Sequence, residues 1–165
     1  MKARRPALPD WVTVLPVGQL ATNCYAVHQE GLALIDPGGD PIAVEAAARL
    51  EQVLLTHAHG DHWAALPALL RAYPDCLVAA SDSAMGWLGQ AELNLSGWMG
   101  PPATLLPKHP LALTDGDRIL AGGVEFGVIA TPGHTPGCLS FFADGDPPVL
   151  FSGDALFRSS VGRTD

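Results

Sequence analysis

The stretch Thr56-His57-Ala58-His59-Gly60-Asp61-His62 follows directly on the apolar Val53-Leu54-Leu55. It packs four ligand-type side chains into six residues. Burying such groups without partners costs about 2–7 kcal/mol each, so a cluster of this kind after a buried strand needs a cation. Imidazole and carboxylate together suit zinc, iron or manganese. His57 and His59, as alternate residues, point the same way. Asp61 and His62 lie past Gly60 and can point elsewhere. One ion cannot easily take all four from so short a loop, whereas two neighbouring ions can.

Working outward, His134 stands between Gly133 and Thr135-Pro136-Gly137. Flanking glycines let the backbone turn sharply and present one imidazole, a third for the first ion. Asp154 follows Ser152-Gly153 at the end of the apolar run Val149 to Phe151. It can bridge two ions, with a plain turn aspartate as the alternative. His28 and His109 read as ordinary structural or solvated residues.

The rest of the chain is β-rich with interspersed helices. Strands are predicted over Val12–Val17, Cys24–His28, Leu32–Ile35, Val53–Leu55, Leu77–Ala80, Arg118–Leu120, Val124–Ala130, Leu139–Ala143 and Val149–Phe151. Helices are predicted over Ile42–Leu50, over Asp61–Ala72 with a break or kink at Pro67, and over Ser81–Leu88. The segment from Gly97 to Pro107 reads as loop. Three apolar strands stop at Asp36, at His57 to His62 and at Ser152-Gly153-Asp154. A fourth stops at Thr131-Pro132-Gly133-His134. If these strands lie side by side, all four clusters share one edge.

The 165 residues suit a single mixed α/β domain, and an apolar fraction of 48% supplies a core. A net charge of −8 argues against nucleic-acid binding. Arg158 and Arg163 sit close enough in sequence to form a local basic pocket. No apolar run is long enough to cross a bilayer, and the Met1 to Pro6 start fails as a signal peptide. Cys24, Cys76 and Cys138 are odd in number, lack a C-x-x-C and read as buried apolar residues in a reducing cytoplasm. Cys138 is the one near the metal motifs.

H-x-H-x-D-H followed by a later His and a later Asp resembles the metallo-β-lactamase superfamily. Within it the chain most resembles the glyoxalase II-like, hydroxyacylglutathione hydrolase type. The carrying segments are Asn23-Cys24-Tyr25, Leu34 to Gly39, Thr56 to His62, Asn94-Leu95-Ser96, Thr131 to Gly137, Phe151 to Phe157 and Gly162 to Asp165. The resemblance implies an αββα sandwich over residues 1–165. It implies one or two ions, zinc first, with His57, His59 and His134 on the first, Asp61 and His62 on the second, and Asp154 between them. It implies that Asp61 orients the attacking water, that Asp36 steadies the ligand loop and that Arg163 contacts substrate. The activity implied is hydrolysis of a glutathione-type or other small thioester by metal-bound hydroxide.

The chain departs from that pattern after Asp154. No further histidine follows, and the family's last strand and helix are missing before Asp165. The expectation is therefore a C-terminally incomplete domain with half of a second site, holding fewer than two ions. Two rival readings follow. One is a mononuclear-iron persulfide dioxygenase using His57, His134 and Asp154. The other is a non-catalytic metal-binding domain that self-associates through an exposed sheet edge.

Overall fold

The computed structural model describes residues 7–39 and 49–164. Strands β1 (Val12–Val17), β2 (Thr22–Val27), β3 (Leu32–Ile35), β4 (Leu50–Leu54), β5 (Leu77–Ala80) and β6 (Pro110–Ala112) form one sheet in that order. The first three strands pair antiparallel, and β3 to β6 run parallel. Strands β7 (Arg118–Ala121), β8 (Val124–Ala130), β9 (Leu139–Ala143) and β10 (Val149–Phe151) form a second, antiparallel sheet in the order β10-β9-β8-β7. The helices are α1 (Leu66–Ala72), α2 (Asp82–Leu88) and α3 (Ala91–Asn94).

Side chains alternate between the faces of a strand, and this alternation divides the core in two. Leu34, Val53 and Val78 face α1 and α2, where they meet Leu66, Leu69, Ala84 and Leu88. Their neighbours Ala33, Ile35, Leu54 and Ala79 face the second sheet and meet Phe126, Val128, Phe141 and Phe151. All four residues of β3 are buried, as a strand covered on both faces requires. Phe126 and Phe151 pack edge-on with ring centroids 5.7 Å apart. The order helices, sheet, sheet is that of the expected α/β sandwich. The outer face of the second sheet leaves Leu120, Ile129, Phe142 and Leu150 exposed.

The two sheets converge at one rim. Because β3 and β4 are parallel, Asp36 and Thr56 follow their ends side by side, and the Asp36 amide donates to the Leu54 carbonyl at 3.0 Å. Strands β8 and β10 are both antiparallel to β9, so they run the same way as each other. The Leu139 amide donates to the Thr56 carbonyl at 2.8 Å and ties the second sheet to the histidine loop. The four polar strand ends do gather, but from two sheets rather than along one sheet edge.

Several boundaries differ from the sequence reading. The predicted helix over Ile42–Leu50 lies outside the described residues except at its end, where Leu50 opens β4. The helix expected over Asp61–Ala72 is a 3-10 turn at Gly60–His62 followed by α1. Pro67 does not kink it. Pro67 lies in the first turn of α1, where its missing amide costs nothing. Strand β6 was not expected, because Pro110-Leu111-Ala112 is short and exposed. No helix among the described residues is long and apolar enough to cross a membrane.

Candidate metal centre

The histidine loop is held by backbone contacts before its imidazoles do anything. Trp63 is buried and donates from Nε1 to the Ala58 carbonyl at 2.8 Å. The Ala65 amide donates to the Pro37 carbonyl at 3.0 Å. A Cβ on Gly38 would collide with the carbonyl oxygen of Asp61, so the strand-end after β3 must be glycine for the loop to lie against it. Asp36 itself takes a left-handed backbone, φ 53°, which aspartate tolerates better than most residues.

That conformation aims the Asp36 carboxylate into the loop. Its oxygens accept from the Thr56 amide at 2.8 Å, the Thr56 hydroxyl at 2.7 Å and His62 Nδ1 at 2.9 Å. Thr56 has spent its proton on Asp36, so its Oγ1, 3.1 Å from His57 Nδ1, accepts from that ring. His134 Nδ1 lies 2.9 Å from the Arg163 carbonyl, which can only accept. In His57 and His134 a bonded Nδ1–H leaves Nε2 with its lone pair toward the rim, and in His62 it leaves Nε2 as the nitrogen that a cation can take over from a proton, the arrangement that hydrogen-bonding partners impose on metal-ligating histidines.

Two overlapping groups result. In one, ligand atoms of His57, His59 and His134 all lie within 4.8 Å of one another; in the other, those of His57, His62 and Asp154 do. His59 turns Nδ1 to within 2.9 Å of His134 Nε2. His62 Nε2 is 3.2 Å from Asp154 and 3.5 Å from Asp61. Asp61 stands in neither group, and its carboxylate accepts from the Thr22 hydroxyl at 2.9 Å. The trio His57, His134 and Asp154 is not a group of this kind either.

Electrostatics separates the two sides. Burial holds the His57 pKa well below the ordinary imidazole value, and the neighbouring rings of His62, His59 and His134 push it the same way. Burial and His134 lower His59 to about 4. Both are neutral donors. For His62 burial also favours the neutral ring, but Asp36, Asp154 and Asp61 outweigh it and raise it to about 10. Burial pushes Asp154 upward, yet His62 prevails and holds it below the usual carboxylate range. Among the described residues, His57 Nε2 is the buried side-chain nitrogen or oxygen without a partner. A buried lone pair facing two more nitrogens is what a cation satisfies, so these residues fit a metal.

Every site residue singled out in the sequence therefore sits at the rim, but Asp61 and Arg163 play geometric parts that the sequence did not indicate. Thr22 and the Thr56 hydroxyl carry no sequence signal of their role, since both act across the fold. Arg158 and Arg163 do not share a basic pocket. Arg158 lines a groove beside Asp61, His62 and Asp154, whereas Arg163 lines another beside His59 and His134. Cys138 is buried with its sulfur accepting from the Thr135 amide at 3.3 Å, outside both metal groups. Burial raises its pKa, and raises Cys24, with help from Asp36, to about 12, so neither is a nucleophile.

Residues 17–165 match the family model described as Metallo-beta-lactamase superfamily. The chain belongs to this superfamily. Among its relatives is the "Probable metallo-hydrolase YqgX" of Bacillus subtilis, 34% identical over 158 residues that cover 92% of this chain and 74% of that one. The hydroxyacylglutathione hydrolase of Pseudomonas putida strain W619 is 40% identical over 138 residues, 79% of this chain but 45% of that protein. The chain thus spans less than half the length of that hydrolase. The solved structure of the BLEG-1 B3 metallo-beta-lactamase superposes with a TM-score of 0.81 at 34% identity, covering 93% of this chain and 77% of that one. TTHA1623, solved in a di-iron-bound form, gives 0.73 at 36% identity, again covering 93% and 77%. This superfamily member carries a metal-binding His/Asp cluster where its two sheets meet.

Proposed function

We propose that the chain is a metal-dependent hydrolase of small thioesters. The observation that carries this reading is the convergence of His57 Nε2, His59 Nδ1 and His134 Nε2 at a rim that also holds Asp61 and Asp154. The hydroxyacylglutathione hydrolases among its relatives support the thioester. In this reading His57, His59 and His134 hold the first cation, zinc, with iron or manganese as substitutes. Asp61 and His62 face the second position, and Asp154 lies between the two. Bound divalent cations supply Lewis acidity toward a water and a carbonyl oxygen.

The chain's own residues do the rest. Asp61, fixed in its 3-10 turn by the Thr22 hydroxyl of β2, would orient the attacking water through a carboxylate oxygen. Asp36 holds the proton on His62 Nδ1 and so keeps His62 Nε2 facing the rim. A thioester is apt because its thiolate leaves without a strong general acid. The grouping of His57 with His59 and His134, rather than with His134 and Asp154, favours hydrolysis over the dioxygenase alternative.

His57 Nε2 stands in both groups, and one lone pair serves one cation. The first equivalent should therefore bind more tightly than the second, which has His62, Asp154 and Asp61 alone. The test is thiol release from acetyl and hexanoyl N-acetylcysteamine and from lactoylglutathione, measured with metal-free protein and with protein reloaded with zinc or iron. Reloading should restore release. Metal-loaded protein that releases no thiol but consumes oxygen with glutathione persulfide would replace this reading with the dioxygenase.

A further inference from the structure

A groove of about 680 Å³ opens beside His59 and His134, within the usual size range of small-molecule sites. Its wall is built by Trp87, Leu93, Leu95 and Trp98. Trp98 is 81% exposed and Leu93 37% exposed. Trp87 reaches the metal cluster itself, its ring centroid 6.3 Å from that of His59. Large apolar side chains gathered in the open beside reacting groups mark a recognition surface.

The wall is also held in place. Asn94 is fully buried and donates from Nδ2 to the carbonyls of Leu88 and Ala103, at 3.3 and 2.9 Å. Its Oδ1 accepts from the Ser96 amide at 2.9 Å, and the Ser96 hydroxyl accepts from the Ala103 amide at 2.8 Å. Between these two anchors Leu95 takes a left-handed backbone, φ 55°, a conformation leucine rarely adopts. The network holds Leu95 in that conformation as part of the groove lining. Among the described residues, the carboxylate and guanidinium side chains in that lining are Glu92 and Arg163, one of each sign. Such a wall suits an uncharged apolar group better than a peptide-like thiol with two carboxylates.

We infer that this groove is the specificity site for an apolar arm of the substrate, which lies on Trp98, Leu93 and Leu95 while its thioester faces His59 and His134. The inference rests on the hydrolase reading. The apolar arm can belong to the acyl half or to the thiol half of the thioester, and the chemistry of the wall is the same for both.

Binding and turnover test it separately. S-hexyl and S-methyl N-acetylcysteamine, which are thioethers and cannot be hydrolysed, are titrated into zinc-loaded protein by calorimetry. The hexyl compound should bind about tenfold more tightly than the methyl compound. In Trp98→Ala, whose side chain is exposed and whose loss spares the core, the two should converge to within about threefold. Leu93→Ala, at a second exposed residue of the wall, should give an intermediate loss. Equal affinity of the two thioethers for the wild type, or an advantage untouched in both variants, overturns the inference. Turnover of S-methyl hexanethioate and of S-hexyl ethanethioate then identifies the half: the ester whose kcat/KM falls in Trp98→Ala carries the arm on the wall, and a fall in neither overturns it. Loss of all thioester cleavage with the thioether preference intact would refute the hydrolase reading instead.

Discussion

At the scale of single residues the site depends on which nitrogen of each imidazole carries a proton. Asp36 is the clearest case, since one carboxylate accepts from Thr56 twice and from His62 Nδ1 once. In Asp36→Asn the amide can still accept from the Thr56 backbone through Oδ1. Its Nδ2 then meets His62 Nδ1 as donor against donor. The ring relieves this by moving its proton to Nε2, the nitrogen that faces Asp154 at 3.2 Å. The same oxygen takes the Thr56 hydroxyl proton, so the proton order at His57 Nδ1 is loosened as well, and the expected outcome is a fall of about 10- to 100-fold in affinity for the second equivalent of zinc with a smaller fall for the first. Chelator competition on wild type and variant checks it. Equal loss at both equivalents would mean that Asp36 holds the loop and not the tautomer. The ligand-type residues were legible in the sequence because their spacing is dense and local. The tautomers were not, because Asp36 and the Arg163 carbonyl reach them from distant segments and the Thr56 hydroxyl takes its direction from Asp36.

At the scale of elements, the strands were easier to read than their arrangement. Strands β1, β3, β5, β8, β9 and β10 keep the bounds expected from the apolar runs, because a strand buried on one or both faces shows itself in two or four residues. What failed was the helix over Asp61–Ala72. Local apolar spacing continues through Trp63 and Leu66, whereas tertiary contacts of the Gly60–His62 turn interrupt the helix. The loops between elements are set by close approach, and two glycines give opposite expectations. Gly38→Ala drives a Cβ into the Asp61 carbonyl oxygen, so the histidine loop must shift. It should cost about 1–3 kcal/mol of stability and lower zinc content together. Gly86 lies inside α2 with nothing within 4 Å of its added Cβ. Gly86→Ala should stabilise the chain by about 0.5–1 kcal/mol and leave zinc content unchanged. Urea unfolding with metal analysis of both variants separates the two effects. A Gly38→Ala protein of wild-type stability and zinc content would show that the loop tolerates displacement.

At the scale of the whole molecule, the alternation of apolar runs with strand-end motifs made a mixed α/β domain legible, and the αββα sandwich followed from the resemblance to the superfamily. The division of the strands into two sheets was not legible. Their period-two alternation is the same whichever sheet a strand joins, and only the chain reversal at Gly122-Gly123 and the pairing of β8 with β9 assign them. Strand β9 displays the consequence within two adjacent residues. Phe141 points between the sheets and is fully buried with Phe126 and Phe151, whereas Phe142 points outward at 36% exposure. Phe141→Ala should cost about 3–5 kcal/mol, through lost burial plus the cavity left between the sheets. Phe142→Lys should change stability by no more than about 0.5 kcal/mol, because the outer face keeps its neighbours Leu150 and Gly127 and gains a solvated charge. Urea denaturation of the two variants measures the difference. The same pair tests self-association. The outer face of the second sheet bears the exposed apolar side chains Leu120, Ile129, Phe142 and Leu150. Association through this face is the alternative to the exposed sheet edge expected from the sequence. In sedimentation over a concentration series the wild type should gain mass and Phe142→Lys should not. Wild-type protein that stays monomeric throughout, or a variant that associates equally, would remove the face as a contact between copies.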